Sequence, residues 1–462
     1  MNKKELKNIF GFLDNSEYSL DQDIIENHCI DWRGDFIGTS DIILFPKSTI
    51  SISKIIKVCE KNHIPIIPQG GNTGLVGGSV PRKNKGEVIL NLKNMNNIRK
   101  INLTDNSVVI ESGCILEDLK KKLWEHDMEF PLNMGSKGSC QVGGNIATNA
   151  GGVNYIKYGS IRQNILGLEV ITTNGEIISN LSSIKKNNTG LDLKQIFIGS
   201  EGTLGIISAA TFRIYKKPQE RSILWLGSNS VSEILKTYSS FTKVFCDQIS
   251  SFELMNKKSL EILKKIGIEY KIIKEYYCLI ELSNFQDIHN FQDYIMDKIT
   301  GLNLNLDDVI LTKNEQENLK FWSIRESIPL AEKKEKFVIK HDVSIPLENI
   351  DKFINETDKK LKKSFPTEII NFGHIGDNNL HYNISVLKNT KPNEEKEVLK
   401  KVNDIVYFNT TKFGGSISAE HGIGQLRKDD LKKYKSRFEL EQMKSIKKIF
   451  DPFDIFNPGE VF

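Results

Sequence analysis

Two glycine-rich stretches constrain the fold of this chain more than any other feature. The first, residues 69–78, directly follows residues 64–68, a short apolar segment typical of a buried strand, and the second covers residues 135–152. Glycine lets backbone N–H groups approach an anion closely, and Ser, Thr and Asn side chains add donors. Two such loops in one domain predict a site for a large cofactor that carries a diphosphate. The alternative is a pair of flexible surface loops.

Two common nucleotide sites are disfavoured by the spacing of the glycines. Neither stretch continues into the G-K-[ST] of a Walker A loop, and neither has G-x-G-x-x-G between a strand and a helix. A P-loop and a Rossmann dinucleotide site both depend on those spacings. The cofactor domain is therefore expected to use another fold.

The segments around the glycine-rich stretches predict an α+β protein. Residues 50–62 have the apolar spacing of an amphipathic helix, and Asn174-Gly175 between two β-type runs indicates a hairpin. After Lys217-Pro218, lysine-rich helical patterns alternate with strands, which indicates a second α+β domain. Residues 1–36 predict a helical lead-in, and the residues from about 411 to 462 predict a largely helical C-terminal segment.

Two short motifs near the C-terminal end indicate a catalytic site. The chain has 8 histidines, and three of them, His374, His381 and His421, fall in residues 373–383 and 419–422. Two strands joined by a tight turn at residues 377–378 would set His374 and His381 opposite each other, with Cβ atoms about 4.5–5.5 Å apart. Two imidazoles and a carboxylate, here Glu420, are the ligands of a zinc-type catalytic site. The alternative is a hairpin with two buried, hydrogen-bonded histidines.

Composition excludes some classes of function. The 63 basic and 59 acidic residues give a net charge of +4, with no basic stripe of the kind that binds nucleic acid. The six cysteines are dispersed without a C-x-x-C pair, which fits unpaired thiols in a reducing cytoplasm. No apolar run reaches membrane-spanning length, and the apolar segment near the N-terminus is too short for a signal peptide. A cytoplasmic protein, or one peripheral to the inner membrane, is expected.

Several motifs together resemble those of a known family. Residues 68–78 (the first loop), 143–152 (the second loop) and 199–207 (the third loop) resemble the three flavin loops of the FAD-linked oxidases of the vanillyl-alcohol oxidase, or PCMH, type. Residues 373–383, 420–424 and 457–459 resemble the branch that contains D-lactate dehydrogenase, the glycolate oxidase flavin subunit and D-2-hydroxyglutarate dehydrogenase. The resemblance extends from about residue 30 to the end.

The resemblance implies a two-part PCMH-type FAD-binding domain over residues 37–216, a substrate (cap) domain built on an antiparallel sheet over 217–410, and a segment, 411–462, that returns to the flavin. Because the first loop has Asn72 and Thr73 where some relatives carry a flavin-linked histidine, FAD is expected to bind non-covalently. The implied cofactor contacts are Pro68, Gly70, Gly71, Asn72, Thr73, Gly74, Gly77, Gly78, Gly135, Ser136, Gly143, Gly144, Asn145, Thr148, Asn149, Gly151, Gly152, Glu201, Gly205, Ile206 and Asn457.

The same resemblance assigns roles in the catalytic site. It implies a divalent metal, usually zinc, on His374, His381 and Glu420, and His421 as the base. It also implies substrate contacts from Arg325, Lys340 and Asn383.

Three positions depart from the family pattern: Pro329 stands where hydroxyglutarate enzymes often have Thr, Asn378 replaces a usual Gly, and Glu460 replaces a common Lys. Asn tolerates positive φ well, so the turn at Asn378 is expected to form.

The implied activity is oxidation of a D-2-hydroxy acid to the 2-oxo acid, with hydride passing to FAD and metal-assisted loss of the hydroxyl proton to His421. The electrons are expected to reach a non-oxygen acceptor such as an electron-transfer flavoprotein, a quinone or a cytochrome, and a homodimer is one expected assembly. Alternatives are an oxidase that uses oxygen, the flavin subunit of a glycolate-oxidase-type complex, and an inactive binding protein. The substrate stays open among 2-hydroxyglutarate, lactate, malate and glycolate.

Overall fold

A computed structural model describes residues 3–286, 288–302, 304–387 and 392–461. The chain divides into two compact units. Unit 1 comprises residues 1–151, 159–216 and 420–462, and unit 2 comprises residues 152–158 and 217–419. The second glycine-rich stretch therefore ends at the point where the chain first leaves unit 1.

The helices, in chain order, are α1 (Lys3–Ile9), α2 (Gln22–His28), α3 (Thr49–Lys61), α4 (Leu116–Trp124), α5 (Val142–Ala147), α6 (Tyr155–Tyr158), α7 (Ile161–Asn164), α8 (Lys194–Phe197), α9 (Val231–Phe245), α10 (Lys257–Glu261), α11 (Phe291–Thr300), α12 (Glu315–Glu326), α13 (Ile328–Glu332), α14 (Leu347–Ser364), α15 (Pro392–Lys412), α16 (Lys428–Tyr434) and α17 (Arg437–Phe450). Among the described residues, none of these helices combines the length and the apolar character that crossing a membrane requires.

The strands, in chain order, are β1 (Tyr18–Ser19), β2 (Ile43–Leu44), β3 (Ile66–Gln69), β4 (Val88–Asn91), β5 (Ile98–Asn102), β6 (Ser107–Glu111), β7 (Met128–Glu129), β8 (Ile165–Ile171), β9 (Ile177–Asn180), β10 (Ile206–Arg213), β11 (Tyr215–Lys216), β12 (Glu220–Ser228), β13 (Ile249–Asn256), β14 (Tyr276–Asn284), β15 (Val309–Leu311), β16 (Val338–Ile339), β17 (Asp342–Ser344), β18 (Thr367–Gly373) and β19 (Asn379–Val386). The predicted mixture of helix and sheet is confirmed.

Unit 1 contains two larger sheets, each with its own core. A four-stranded sheet has the order β1-β2-β4-β3, and its β2–β4 and β3–β4 pairs are parallel. A five-stranded antiparallel sheet has the order β5-β6-β10-β8-β9. The predicted amphipathic helix forms as α3, which buries Ile52, Ile55, Ile56 and Cys59. The hairpin at Asn174-Gly175 also forms, with Gly175 at φ 72°.

The ends of the chain join unit 1 through backbone pairing. A helical lead-in was expected for the N-terminal residues, but they also contain strand β1, which pairs with β2. Near the C-terminus, Ile66 N donates to Ile455 O at 2.6 Å, and Asn457 N donates to Ile66 O at 2.9 Å. The C-terminal segment therefore lies along β3, the strand that leads into the first loop.

Unit 2 is built on an eight-stranded sheet with the order β15-β12-β14-β13-β18-β19-β16, in which β17 also pairs with β19. All of these pairs are antiparallel, as expected for this part of the chain. Trp225, Phe321 and Phe372 belong to one apolar cluster on this sheet. Since β13, β18 and β19 are inner strands, the side chains that they carry are held on a rigid framework.

Candidate functional site

The three predicted cofactor loops are hydrogen-bonded to one another within unit 1. Glu201 N in the third loop donates to Ala147 O in the second at 2.7 Å. Asn457 Nδ2 donates to Gly78 O in the first loop at 3.0 Å and to Glu201 O in the third at 2.8 Å. Loops far apart in sequence are thus joined at one place. Of the predicted cofactor residues, unit 1 holds all except Gly152, which lies in unit 2.

Two glycines are required by close backbone approach, and two others face open space. A Cβ on Gly71 would lie 2.0 Å from Ser139 O, and one on Gly143 would lie 2.5 Å from Ser112 Cβ. A Cβ on Gly135 or Gly144 would have no heavy atom within 4 Å among the described residues. The first pair packs the loops together, whereas the second pair leaves room beside the backbone.

Left-handed backbone conformations occur in all three loops and in the C-terminal segment. Asn72 (φ 52°), Asn149 (φ 48°), Glu201 (φ 53°) and Asn457 (φ 42°) are non-glycine residues in this region of conformational space. Such conformations persist only where the surrounding structure determines them, and they are concentrated at functional sites. Their clustering here supports the prediction that these loops bind a ligand.

Buried polar atoms in and beside the loops fit a polar cofactor. Within the described part of the chain, no hydrogen-bond partner is found for Ser112 Oγ, Gln141 Oε1, Asn145 Oδ1, Ser200 Oγ and Asn457 Oδ1. Buried polar atoms are nearly always satisfied in folded proteins, so a cluster of exceptions calls for a missing partner. A cavity of about 520 Å³ also lies against the first loop, with Gly70, Asn72 and Gln141 in its wall. The loops therefore offer both these unpaired polar atoms and a cavity to a polar cofactor.

The segment that begins at Glu420 is held by the same loops. Glu420 Oε1 lies 2.6 Å from where a Cβ on Gly151 would be, so the Glu420 carboxylate packs directly against the backbone of the second loop. Two and three residues after His421, the backbone N–H groups of Ile423 and Gly424 donate to the Glu201 carboxylate at 2.9 and 2.8 Å. Glu201, a predicted cofactor contact, therefore orders the turn that follows His421.

Glu460 is an unusual buried acid in unit 1. The residue is 3% exposed, and its Oε2 has no hydrogen-bond partner among the described residues. Burial, followed by the nearby negative charge of Glu201, raises the pKa of Glu460 to about 9, although Arg82 acts in the opposite direction. A protonated side chain at this position takes the place of the lysine common in the family.

In unit 2 the register of the histidine hairpin differs from the prediction. His381 lies opposite Phe372 rather than His374, because a short 3₁₀ turn, Ile375–Asp377, lengthens the loop beyond two residues. Asn378 adopts φ 75°, as expected for its turn position. The two imidazoles are nevertheless close, with ring centroids 5.4 Å apart. The prediction of a tight two-residue hairpin was wrong, but the prediction that the two histidines lie close together is confirmed.

The predicted substrate residue Arg325 lies against the buried carboxylate of Glu253. Arg325 Nε and Nη2 lie 2.9 and 2.8 Å from Glu253 Oε2, and His374 Nδ1 lies 2.7 Å from Glu253 Oε1. Burial alone would raise the pKa of Glu253, but His374 and Arg325 hold it below its ordinary value. Glu253 is therefore ionised and connects a predicted metal ligand with a predicted substrate contact.

Lys340 and Asn383 share a second buried carboxylate, that of Glu332. Lys340 Nζ lies 2.9 Å from Glu332 Oε2, and Asn383 Nδ2 donates to Glu332 Oε1 at 2.6 Å. The register that pairs Ile339 with Ile384 and Asp342 with His381 also sets Lys340 opposite Asn383. The two predicted substrate contacts are thus brought together on one strand pair.

Three acids beside the predicted site residues carry no recognisable motif in the sequence that marks them as site residues: Glu253, Glu332 and Asp342. Asp342 is fully buried, and its Oδ1 lies 3.7 Å from His381 Nδ1. A signal for Glu253 existed, since it is the single charged residue in the strand sequence ISSFELMN. Glu332 precedes a run of exposed lysines and offered no comparable signal.

Comparisons with known proteins give a consistent result. Residues 217–461 match the family described as FAD linked oxidases, C-terminal domain, and residues 40–180 match an FAD binding domain. The chain is 35% identical to a mitochondrial D-2-hydroxyglutarate dehydrogenase of Danio rerio, over 95% of this chain and 81% of the relative. It is also 35% identical to a D-2-hydroxyglutarate–pyruvate transhydrogenase of Saccharomyces cerevisiae, over 93% of this chain and 88% of the relative.

Solved structures share the fold at low sequence identity. p-Cresol methylhydroxylase with bound substrate is 16% identical with a TM-score of 0.76, covering 99% of this chain and 96% of that one. An alkyldihydroxyacetonephosphate synthase is 17% identical with a TM-score of 0.74, covering 99% of this chain and 85% of that one. The expected PCMH-type fold is confirmed.

Proposed function

This chain belongs to the FAD-linked oxidases, and on that premise we propose that it oxidises a D-2-hydroxy acid to the corresponding 2-oxo acid. The observation that carries the proposal is the grouping of His374, Arg325 and Glu253 in unit 2, which sets a metal-type imidazole beside a carboxylate-binding guanidinium. A 2-hydroxy acid needs both, because its hydroxyl must be polarised while its carboxylate is held. Relatives named D-2-hydroxyglutarate dehydrogenase support the same substrate class.

FAD would be held by the first, second and third loops and by Asn457. When bound, FAD supplies the ring that accepts the hydride from C2 of the substrate. The orphaned polar atoms and the open space beside Gly135 and Gly144 support this placement. We propose that the cofactor is bound non-covalently, because the first loop has Asn72 and Thr73 and no histidine.

A divalent metal, most simply zinc, would be held by His374, His381 and Glu420. The ring separation of 5.4 Å between the two imidazoles suits a shared ion. Glu420 is included in the ligand set because residues 420–424 resemble the family motif. When bound, the ion supplies a Lewis acid that lowers the pKa of the substrate hydroxyl. His421 would accept the hydroxyl proton.

Two cationic groups favour a substrate with two carboxylates. Arg325 offers a planar guanidinium that can grip one carboxylate with two parallel hydrogen bonds, and Lys340 offers a point charge for a second. Since each is oriented by a buried glutamate, neither has to be ordered when the substrate binds. D-2-Hydroxyglutarate and malate, which have two carboxylates each, fit this arrangement better than glycolate or lactate. The electrons would then pass to an electron-transfer flavoprotein, a quinone or a cytochrome in the cytoplasm.

Anaerobic flavin bleaching with a panel of D- and L-2-hydroxy acids tests this proposal. D-2-Hydroxyglutarate is expected to bleach the flavin fastest, the L-enantiomer is expected to leave it oxidised, and a chelator is expected to slow the reaction. Bleaching by none of the D-acids would overturn the proposal. Equal bleaching with and without chelator would remove the metal from it.

A further inference from the structure

One buried carboxylate in unit 2 holds two side chains of the proposed site. Glu253 stands in the inner strand β13, and its side chain is 1% exposed. Its Oε1 lies 2.7 Å from His374 Nδ1, whereas its Oε2 accepts from both Nε and Nη2 of Arg325. Each oxygen thus serves a different partner.

The contact with Oε1 selects one tautomer of His374. Oε2 already accepts from two N–H groups of Arg325, so the carboxylate acts as an acceptor and the proton between Oε1 and His374 lies on Nδ1. In the metal-binding form of this ring the lone pair then lies on Nε2. A metal ion binds the deprotonated nitrogen, and a carboxylate on the other nitrogen fixes the ring and raises its basicity. The chemistry at Glu253 therefore prepares His374 for a metal ion.

The contact with Oε2 fixes the plane of Arg325. Its Nε and Nη2 edge is turned toward Glu253, and the guanidinium carbon lies 4.8 Å from the centre of the Phe372 ring. With one edge engaged and one face covered, the orientation of the Nη1 end is determined before a substrate arrives. Such preorganisation lowers the entropy that binding would otherwise cost.

We infer that Glu253 is a positioning residue that prepares His374 for the metal ion and Arg325 for the substrate carboxylate at the same time. This inference rests on the proposed function. Metal affinity and carboxylate binding then depend on one side chain. Lys340 and Asn383 provide the comparison, because their shared carboxylate is Glu332, which is equally buried.

A matched pair of variants isolates the effect of Glu253 on the metal. Arg325→Met removes the guanidinium and leaves Glu253 beside His374, and Glu253→Met/Arg325→Met removes both members of the buried ion pair. Replacing a whole buried pair by apolar side chains is tolerated far better than removing one member. Because both variants lack the arginine, a difference in metal affinity between them comes from Glu253.

The measurement is the zinc dissociation constant of the FAD-loaded full-length protein, obtained by competition with a chromogenic chelator. The double variant is expected to bind zinc about 10–100-fold more weakly than Arg325→Met, the usual effect of losing the outer partner of a ligating histidine. Glu332→Gln, which alters an equally buried acid that contacts Lys340 and Asn383, is expected to bind zinc as the wild type does. Retained FAD and an unchanged melting temperature serve as the folding check.

The outcomes separate this inference from the proposed function. Equal zinc affinity in the single and double variants overturns the inference while the metal site stands. A wild-type protein that binds no zinc overturns the proposed metal site and this inference with it. If either variant does not fold, Glu253→Gln compared with the wild type replaces the pair, because the amide keeps the shape but has a single oxygen and cannot accept from both His374 and Arg325. Unchanged zinc affinity in Glu253→Gln, or an unchanged KM, would overturn the inference.

Discussion

Asn457 donates a hydrogen bond to the backbone oxygen of Glu201 at 2.8 Å, across 256 positions of sequence. The same amide nitrogen donates to Gly78 O, so one side chain joins the first loop, the third loop and the C-terminal segment. Asn457 is 1% exposed, and its Oδ1 has no partner among the described residues. These hydrogen bonds explain how a residue near the end of the chain reaches the loops that are proposed to hold the cofactor.

Asn457→Ala is expected to weaken FAD binding and to destabilise the protein by about 1–3 kcal/mol, since two buried carbonyl oxygens lose their donor. Fluorescence titration of the apoprotein with FAD and thermal unfolding measure the two effects. Asn188→Ala, at an exposed position, is the control and should change neither quantity. Wild-type FAD affinity in Asn457→Ala would contradict the assigned role.

Gly71→Ala is expected to lower the stability of the apoprotein, whereas Gly144→Ala is expected to lower the affinity for FAD. At Gly71 the new methyl group would meet a backbone oxygen, so the apoprotein should be strongly destabilised, by several kcal/mol. At Gly144 the methyl group meets no described protein atom and replaces a helical glycine, so the apoprotein should be as stable as the wild type or slightly more so. The same methyl group should lower FAD affinity if the cofactor occupies that space.

Melting temperatures of the two apoproteins and their FAD dissociation constants check this pair. A Gly144→Ala protein with normal stability and normal FAD affinity would show that the open space beside α5 is not part of the cofactor site.

Glu460 predicts a pH dependence of stability in unit 1. Its pKa of about 9 lies above the ordinary value of 4.5, so the folded state keeps a proton that the unfolded state releases between these values. The free energy of unfolding should therefore fall as the pH rises from about 5 to 9. Glu460→Gln should remove this part of the dependence and be more stable than the wild type at pH 8, by on the order of 1–3 kcal/mol.

Denaturant unfolding at pH 5, 7 and 8.5 measures the difference between the two proteins. The groups that act on Glu460 are Glu201, Glu87, Arg82 and Gln425, and Lys428 also interacts with it. The exposed Glu269, changed to Gln, is the control. A Glu460→Gln protein whose stability falls with pH as steeply as that of the wild type would refute the assignment.

His421→Ala is expected to retain FAD and zinc and to reduce the flavin about 10²–10⁴-fold more slowly, which is the usual contribution of a general base. Anaerobic stopped-flow absorbance gives the rate constant, and metal analysis gives the zinc content. His126→Ala, at an exposed histidine in unit 1, is the control. Loss of zinc in His421→Ala would make His421 a metal ligand instead.

Local patterns in the sequence predicted much of the fold because the elements concerned are stabilised by nearby residues. The apolar spacing of residues 50–62 and the turn at Asn174-Gly175 each determine a local conformation, and both elements formed as expected. The histidine hairpin was predicted with the wrong register, because the 3₁₀ turn after His374 depends on contacts outside the hairpin. One such contact is the hydrogen bond from Tyr238 to Gly376 O.

The buried carboxylates could not be found in the same way. Glu253 is 121 positions from His374 and 72 from Arg325, and Glu332 is 51 positions from Asn383. Only the pairing of β13, β18 and β19 in the folded sheet brings these groups together. Residue spacing within one segment of the sequence cannot predict such long-range contacts. The side chains proposed to bind the metal and the substrate could be named from motifs, whereas the acids that contact them could be found only in the structure.

The most direct test of the central claim is anaerobic reduction of the bound flavin by D-2-hydroxyglutarate, with the 2-oxo acid quantified in the same sample. The account predicts full bleaching, one 2-oxo acid formed per flavin, and no reaction with the L-enantiomer. A flavin that stays oxidised in the presence of every D-2-hydroxy acid, in protein that carries both FAD and zinc, would contradict it.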